Sequence, residues 1–244
     1  MKKKFLGMML VFLLVLAGCS NEVVEHFTVH SNLEKESITI EKDQSTALDI
    51  SLQISLGELQ VSKGATEWID GSIEYNVKKL EPEVTYELTQ NRGQVEIKQN
   101  EGDFGFRNIG GVENSWDFKL TNEIPLDLKV MAGVSETKLD LKGLQIQNLE
   151  VETGVGEVTI DMSGEWEEGF NANFKTGLGS STIILPSDIG VIIKTEKGIV
   201  ATDFIKLKSL GNGVYVNDAY DASESDHIKI NAELGMGEVM FKVK

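Results

Sequence analysis

The sequence contains one cysteine, Cys19, so no disulfide can form within the chain. Proline occurs three times, and aromatic residues make up only 7% of the chain. Sustained helical periodicity is nearly absent, which removes helical bundles from consideration. After Cys19 no apolar stretch approaches the roughly 20 residues that a membrane-spanning helix needs. Positive charge is scarce: 23 Lys and Arg stand against 39 Asp and Glu, for a formal charge of −16. Nucleic-acid affinity comes largely from cations that neutralise phosphates, so this balance argues against a nucleic-acid partner. It also argues against a body lying flat on anionic lipid, within a Debye length of about 8 Å.

What is present begins with an address. Lys2, Lys3 and Lys4 precede an apolar run over residues 5–16. A charged segment followed by an apolar one of this length reads as a secretory leader. The run ends in Leu16-Ala17-Gly18-Cys19, which resembles the bacterial lipobox. That resemblance implies cleavage after Gly18 and a diacylglyceryl group on the Cys19 sulfur. Each buried CH₂ of an acyl chain contributes about 0.8 kcal/mol, so two or three chains on one residue make a firm anchor. The expectation is a signal peptide at 1–18, a lipidated tether at 19–35, and a body on the extracytoplasmic face of the cell membrane. Losing Lys2, Lys3 and Lys4 with the leader takes the formal charge from −16 to −19.

The rest of the chain repeats itself. Leu149, Val151, Thr153 and Val155 alternate with polar residues, and after Gly156-Glu157 the pattern resumes at Val158, Ile160 and Met162. Alternation of period two marks a strand with one buried face. The step from Val155 to Val158 is three, and a glycine in such a phase break fits a bulge or corner. Similar breaks follow Leu56, Val134, Leu178 and Met236, and a degraded one falls near position 197. In the C-terminal half the aligned positions 134, 155, 178, about 197 and 236 step by 21, 23, 19 and 39 residues; a period near twenty, with the last step spanning two rungs, predicts stacked rungs. The fold expectation is therefore all-β, a single-stranded β-helix or similar solenoid of bent strands. A β-sandwich of bent hairpins is the alternative. Residues 100–114, rich in glycine and polar side chains, offer a boundary between an N-terminal part (36–106) and a C-terminal part (112–244). Residues 206–226 are irregular, with a turn expected at Gly211-Asn212-Gly213.

Several local segments resemble the toast-rack family of bacterial envelope proteins. They are Gly71-Ser72-Ile73-Glu74-Tyr75-Asn76, Glu81-Pro82-Glu83-Val84-Thr85-Tyr86, Trp116-Asp117-Phe118-Lys119-Leu120, Ile124-Pro125-Leu126-Asp127-Leu128, Leu185-Pro186-Ser187-Asp188-Ile189-Gly190-Val191, Asn212-Gly213-Val214-Tyr215, and the closing Gly235-Met236-Gly237-Glu238. The C-terminal half is also similar to the output domain of LiaF-type regulators, which dampen a cell-wall stress response. The resemblance implies a solenoid-like fold and an interaction role outside the cytoplasm, and supplies no catalytic residues.

Candidate chemistry is thin. Glu58, Glu136, Glu157 and Glu238 share one position of the repeat, and stacked carboxylates would repel unless screened or bridged by a cation. A solvated turn is the simpler reading, so no metal site is assigned. Gly154-Val155-Gly156 and Gly177-Leu178-Gly179 lack the following helix that a phosphate cradle requires. Ser223, Ser225, Asp226 and His227 do not form a nucleophile motif, because strand neighbours point to opposite faces. Trp68, Trp116, Trp166, Tyr75, Tyr86, Tyr215 and Tyr220 suit either a sugar-stacking platform or a core. The expectation is a non-enzymatic binding module with no cofactor. Its partner would be an envelope protein or cell-wall polymer, with self-association through an open strand edge also open. A carbohydrate-active enzyme is the rival reading. Cys19, as the lipidation site, is the only residue given a specific role.

Overall fold

The computed structural model describes residues 32–99 and 111–244. The leader, Cys19 and most of the tether lie outside the described residues, as does most of the 100–114 boundary. Six long strands organise everything else. They are β2 (Ala47–Lys63), β7 (Leu126–Asp140), β8 (Ile146–Asp161), β9 (Asn171–Leu185), β10 (Gly190–Ile205) and β13 (His227–Val243). Neighbouring long strands run parallel and in register.

Where parallel neighbours are joined by short links, as β7, β8 and β9 are, the strands must fold on themselves. β7 ends at Asp140 and β8 begins at Ile146, yet Leu126 and Ile146 are register partners. A straight strand of 15 residues would be about 50 Å long. The five linking residues can span at most about 18 Å. The strand closes that distance by bending at Gly133-Val134-Ser135, and the other long strands bend at the matching place. Leu126, Leu128 and Val130 before the bend and Leu139 after it are buried in one apolar cluster. The phase break thus turns both halves of a strand toward the same interior.

The corners explain why glycine recurs. Gly156 and Gly179 both have φ of +140°, a conformation that L side chains avoid. A Cβ on Gly156 would overlap the Ser135 carbonyl oxygen, and one on Gly179 would overlap that of Gly156. Each corner therefore nests its backbone against the corner of the previous rung.

The two halves of β2 acquire different neighbours. The first half pairs with β5 (Arg92–Gln99), which carries β4 (Pro82–Thr89) outside it. The second half pairs with β6 (Asn114–Leu120), followed by β3 (Ile69–Tyr75) and β1 (Glu34–Ile40). One apolar cluster runs from Ile38 to Val243, so the segments before and after the 100–114 boundary share a core and a sheet.

At the opposite end, β11 (Lys208–Gly211) and β12 (Val214–Val216) form a hairpin against the first half of β10. Asn212 and Gly213 both have positive φ, as a tight two-residue hairpin turn requires. The rungs do not stack in sequence order, and the 39-residue step expected to span two rungs holds the short β11–β12 hairpin in place of a further long strand. β13 inserts between β9 and β10, and Met236 pairs with Leu178 on one side and Ile199 on the other. The corner residue of β10 is thus Ile199, two positions beyond the expected 197.

Candidate functional site

Outward-facing residues of the first strand halves form polar lanes across the sheet. Asp49, Asp127 and Asn148 are register partners in one lane. Ser51, Lys129, Glu150 and Asn173 form the next. These lanes floor a groove of about 710 Å³ that β4 and β5 border with Thr85, Tyr86, Glu87, Gln94 and Glu96.

The floor is ordered by its own hydrogen bonds. Arg92 bridges Asp49, through its Nε at 2.6 Å, and Asp127 through its terminal nitrogen. The hydrogen bond to Asp49 and the charge on Asp127 push the guanidinium pKa above its ordinary value, against the effect of burial. Asn148 Nδ2 donates to Asp127 Oδ1 at 2.8 Å, and Lys129 Nζ donates to Glu150 Oε1 at 3.0 Å. Gln53 Nε2 donates to Glu96 Oε1 at 3.0 Å. The Asp49–Asp127 pair is thereby committed to a cation. Such a floor holds donors and acceptors of both kinds in fixed places.

The groove wall is pinned from below. Tyr86 donates its hydroxyl proton to Asp43 Oδ2 at 2.5 Å, while Ser45 N and Trp68 Nε1 donate to Asp43 Oδ1 at 2.8 and 3.1 Å. Desolvation works against ionisation of Asp43, but these hydrogen bonds outweigh it and hold the carboxyl far below the usual carboxylate range.

The acidic row exists as aligned in the sequence. Glu58, Glu136 and Glu157 are successive register partners, and Ser180 separates Glu157 from Glu238. Lys138 Nζ lies 2.5 Å from Glu136 Oε1 and feels Glu58 and Glu157 as well. The hydrogen bond to Glu136 raises the lysine pKa above its ordinary value. An ammonium thus already offsets part of the row. Among the described residues no group of three or more His, Cys, Asp or Glu is arranged to hold a metal ion.

The remaining sequence candidates do not converge. Asp226 Oδ1 accepts a hydrogen bond from Gly169 N at 2.6 Å, and Ser223 Oγ donates to Asp221 Oδ1 at 2.7 Å. His227 is buried against Tyr220, with ring centroids 4.6 Å apart. Trp68, Trp116 and Tyr75 are core residues, and Trp166 packs on Phe170 at 4.7 Å. Tyr215 stacks on Phe204 at 3.6 Å, so only Tyr86 of this set borders the groove. Cys19 lies outside the described residues.

Sequence reasoning concentrated on the glycine corners and missed the polar lanes. Their signal was present: Asp49, Asp127, Asn148 and Asn171 fall at one fixed offset before the corner of each rung.

The architecture defines a class: a two-walled stack of folded parallel strands with a polar groove on one outer wall. The model of the N-terminal domain of toast_rack, DUF2154, matches residues 29–184. The chain belongs to the toast-rack family. A solved structure described as a "putative cell adhesion protein", from Clostridium sporogenes, is 29% identical with a TM-score of 0.83. That alignment covers 87% of this chain and 100% of the other. A "putative adhesin" from Bacteroides fragilis is 11% identical over 87% of this chain and 98% of its own, with a TM-score of 0.32. No curated protein matches the chain.

Proposed function

We propose that this protein is a lipid-anchored, non-enzymatic binding module on the outer face of the cell membrane. Its polar groove engages a neutral, hydroxyl-rich polymer of the envelope. The observation that carries this reading is the preordered floor of the groove, where one polar side chain follows another from strand to strand at about 4.8 Å in each lane. Repeating polar lanes on a rigid wall suit an extended, repetitive ligand. Rigidity also lowers the entropy cost of binding. The similarity to a protein described as a "putative cell adhesion protein" supports the same reading. Lipidation of Cys19 supplies the anchor.

The test is retention of purified cell-wall polymer by membranes from cells expressing three forms of the protein. Wild type retains polymer. An Asn148→Ala/Asn173→Ala variant stays in the membrane fraction but loses about tenfold in polymer affinity, as removal of two or three hydrogen bonds implies. Cys19→Ser moves the protein to the soluble fraction with its polymer affinity intact. Equal polymer binding by the groove variant would refute the site, and membrane retention of Cys19→Ser would refute the anchor.

A further inference from the structure

Each folded strand carries one apolar residue at the tip of its corner. Val155, Leu178, Met236 and Ile199 are successive register partners across four strands. They are 43%, 53%, 51% and 78% exposed, respectively. Glycine lies on both sides of Val155, Leu178 and Met236, and before Ile199. The four side chains therefore stand proud of the surface as one ridge, about 14 Å long over three strand spacings. Single exposed apolar residues are ordinary, but a contiguous row marks an interaction surface.

The charge beside the ridge selects the occupant. Two residues past the tip, Glu157 and Glu238 follow Val155 and Met236 on the same strands. Lys138 pairs with Glu136 further along that lane, while no ion pair within 4.0 Å involves Glu157 or Glu238 among the described residues. A second copy meeting ridge to ridge would press two carboxylate lanes together on chains of charge −16. An anionic membrane meets the same repulsion.

We propose that the ridge is a docking surface for a cationic amphipathic segment of a partner protein. Its apolar row covers Val155, Leu178, Met236 and Ile199, and its basic row meets Glu157 and Glu238. This surface lies at the strand corners, apart from the polar groove, and engages a protein rather than a polymer.

The experiment is calorimetric titration of the full chain with a synthetic peptide of alternating leucine and lysine. A peptide with glutamate in place of lysine, and zwitterionic phosphatidylcholine vesicles, are the comparisons. The ridge side chains are exposed, so Leu178→Ser/Met236→Ser should keep the fold, as circular dichroism would verify. The lysine peptide is expected to bind and the glutamate peptide to fail. The ridge variant should weaken binding about tenfold, by loss of apolar burial. Glu157→Gln/Glu238→Gln should flatten the salt dependence of binding. Unchanged affinity in the ridge variant would overturn the proposal. So would equal binding of the glutamate peptide, or tighter ridge-dependent binding of the vesicles.

Discussion

Asp43 shows how much of this architecture rests on single polar residues. It sits on an exposed loop, yet it gathers hydrogen bonds from Ser45, Trp68 and Tyr86, and so ties the groove wall to the core. Its carboxyl is held below the ordinary pKa of 3.8. A depressed folded-state pKa contributes stability that is complete above the unfolded value and lost as pH falls through the folded one. Wild type should therefore lose stability as pH drops below about 4. Asp43→Asn should be less stable at neutral pH and lose less over that acidic range, in thermal melts followed by circular dichroism. Parallel pH profiles for the two proteins would contradict this assignment. The role of Asp43 was not legible in the sequence. Ser45 is two residues on, but Trp68 and Tyr86, which make the tie to the core and the groove wall, are remote in the chain. The Glu58–Glu136–Glu157–Glu238 row was legible, because an in-register stack converts a shared repeat position into a shared place.

The folded strand is the unit of this molecule, and its corner decides whether the unit forms. Gly179 combines φ of +140° with a backbone carbonyl where a Cβ would sit. Strained φ and displaced backbone cost on the order of 1–3 kcal/mol. Gly179→Ala should lower Tm by several degrees, at about 2–4 °C per kcal/mol for a chain of this size. A melt unchanged from wild type would show that the corner is not nested as described. Alternation with a phase break made these strands legible, because one step of three between two runs of period two turns both halves inward. Two features escaped. Period-two logic places Val155 and Leu178 on the buried face, but the corner turns them out to solvent. The insertion of β13 between β9 and β10 also escaped, because step lengths along a chain do not specify which strand edges meet.

At the scale of the whole molecule, the core is one continuous apolar cluster, and the polar groove and the apolar ridge lie on its outside. The inner long strands β7, β8, β9 and β13 pair on both sides, so their outward residues are held in register rows. The proposed function places an envelope polymer across the first strand halves, in the groove beside β4. Amide hydrogen exchange of the protein with and without purified cell-wall polymer tests this directly. Added protection should concentrate in the first halves of β2, β7, β8 and β9 and in β4 and β5, leaving the second halves unchanged. Protection confined to the second halves, or none at saturating polymer, would contradict the account.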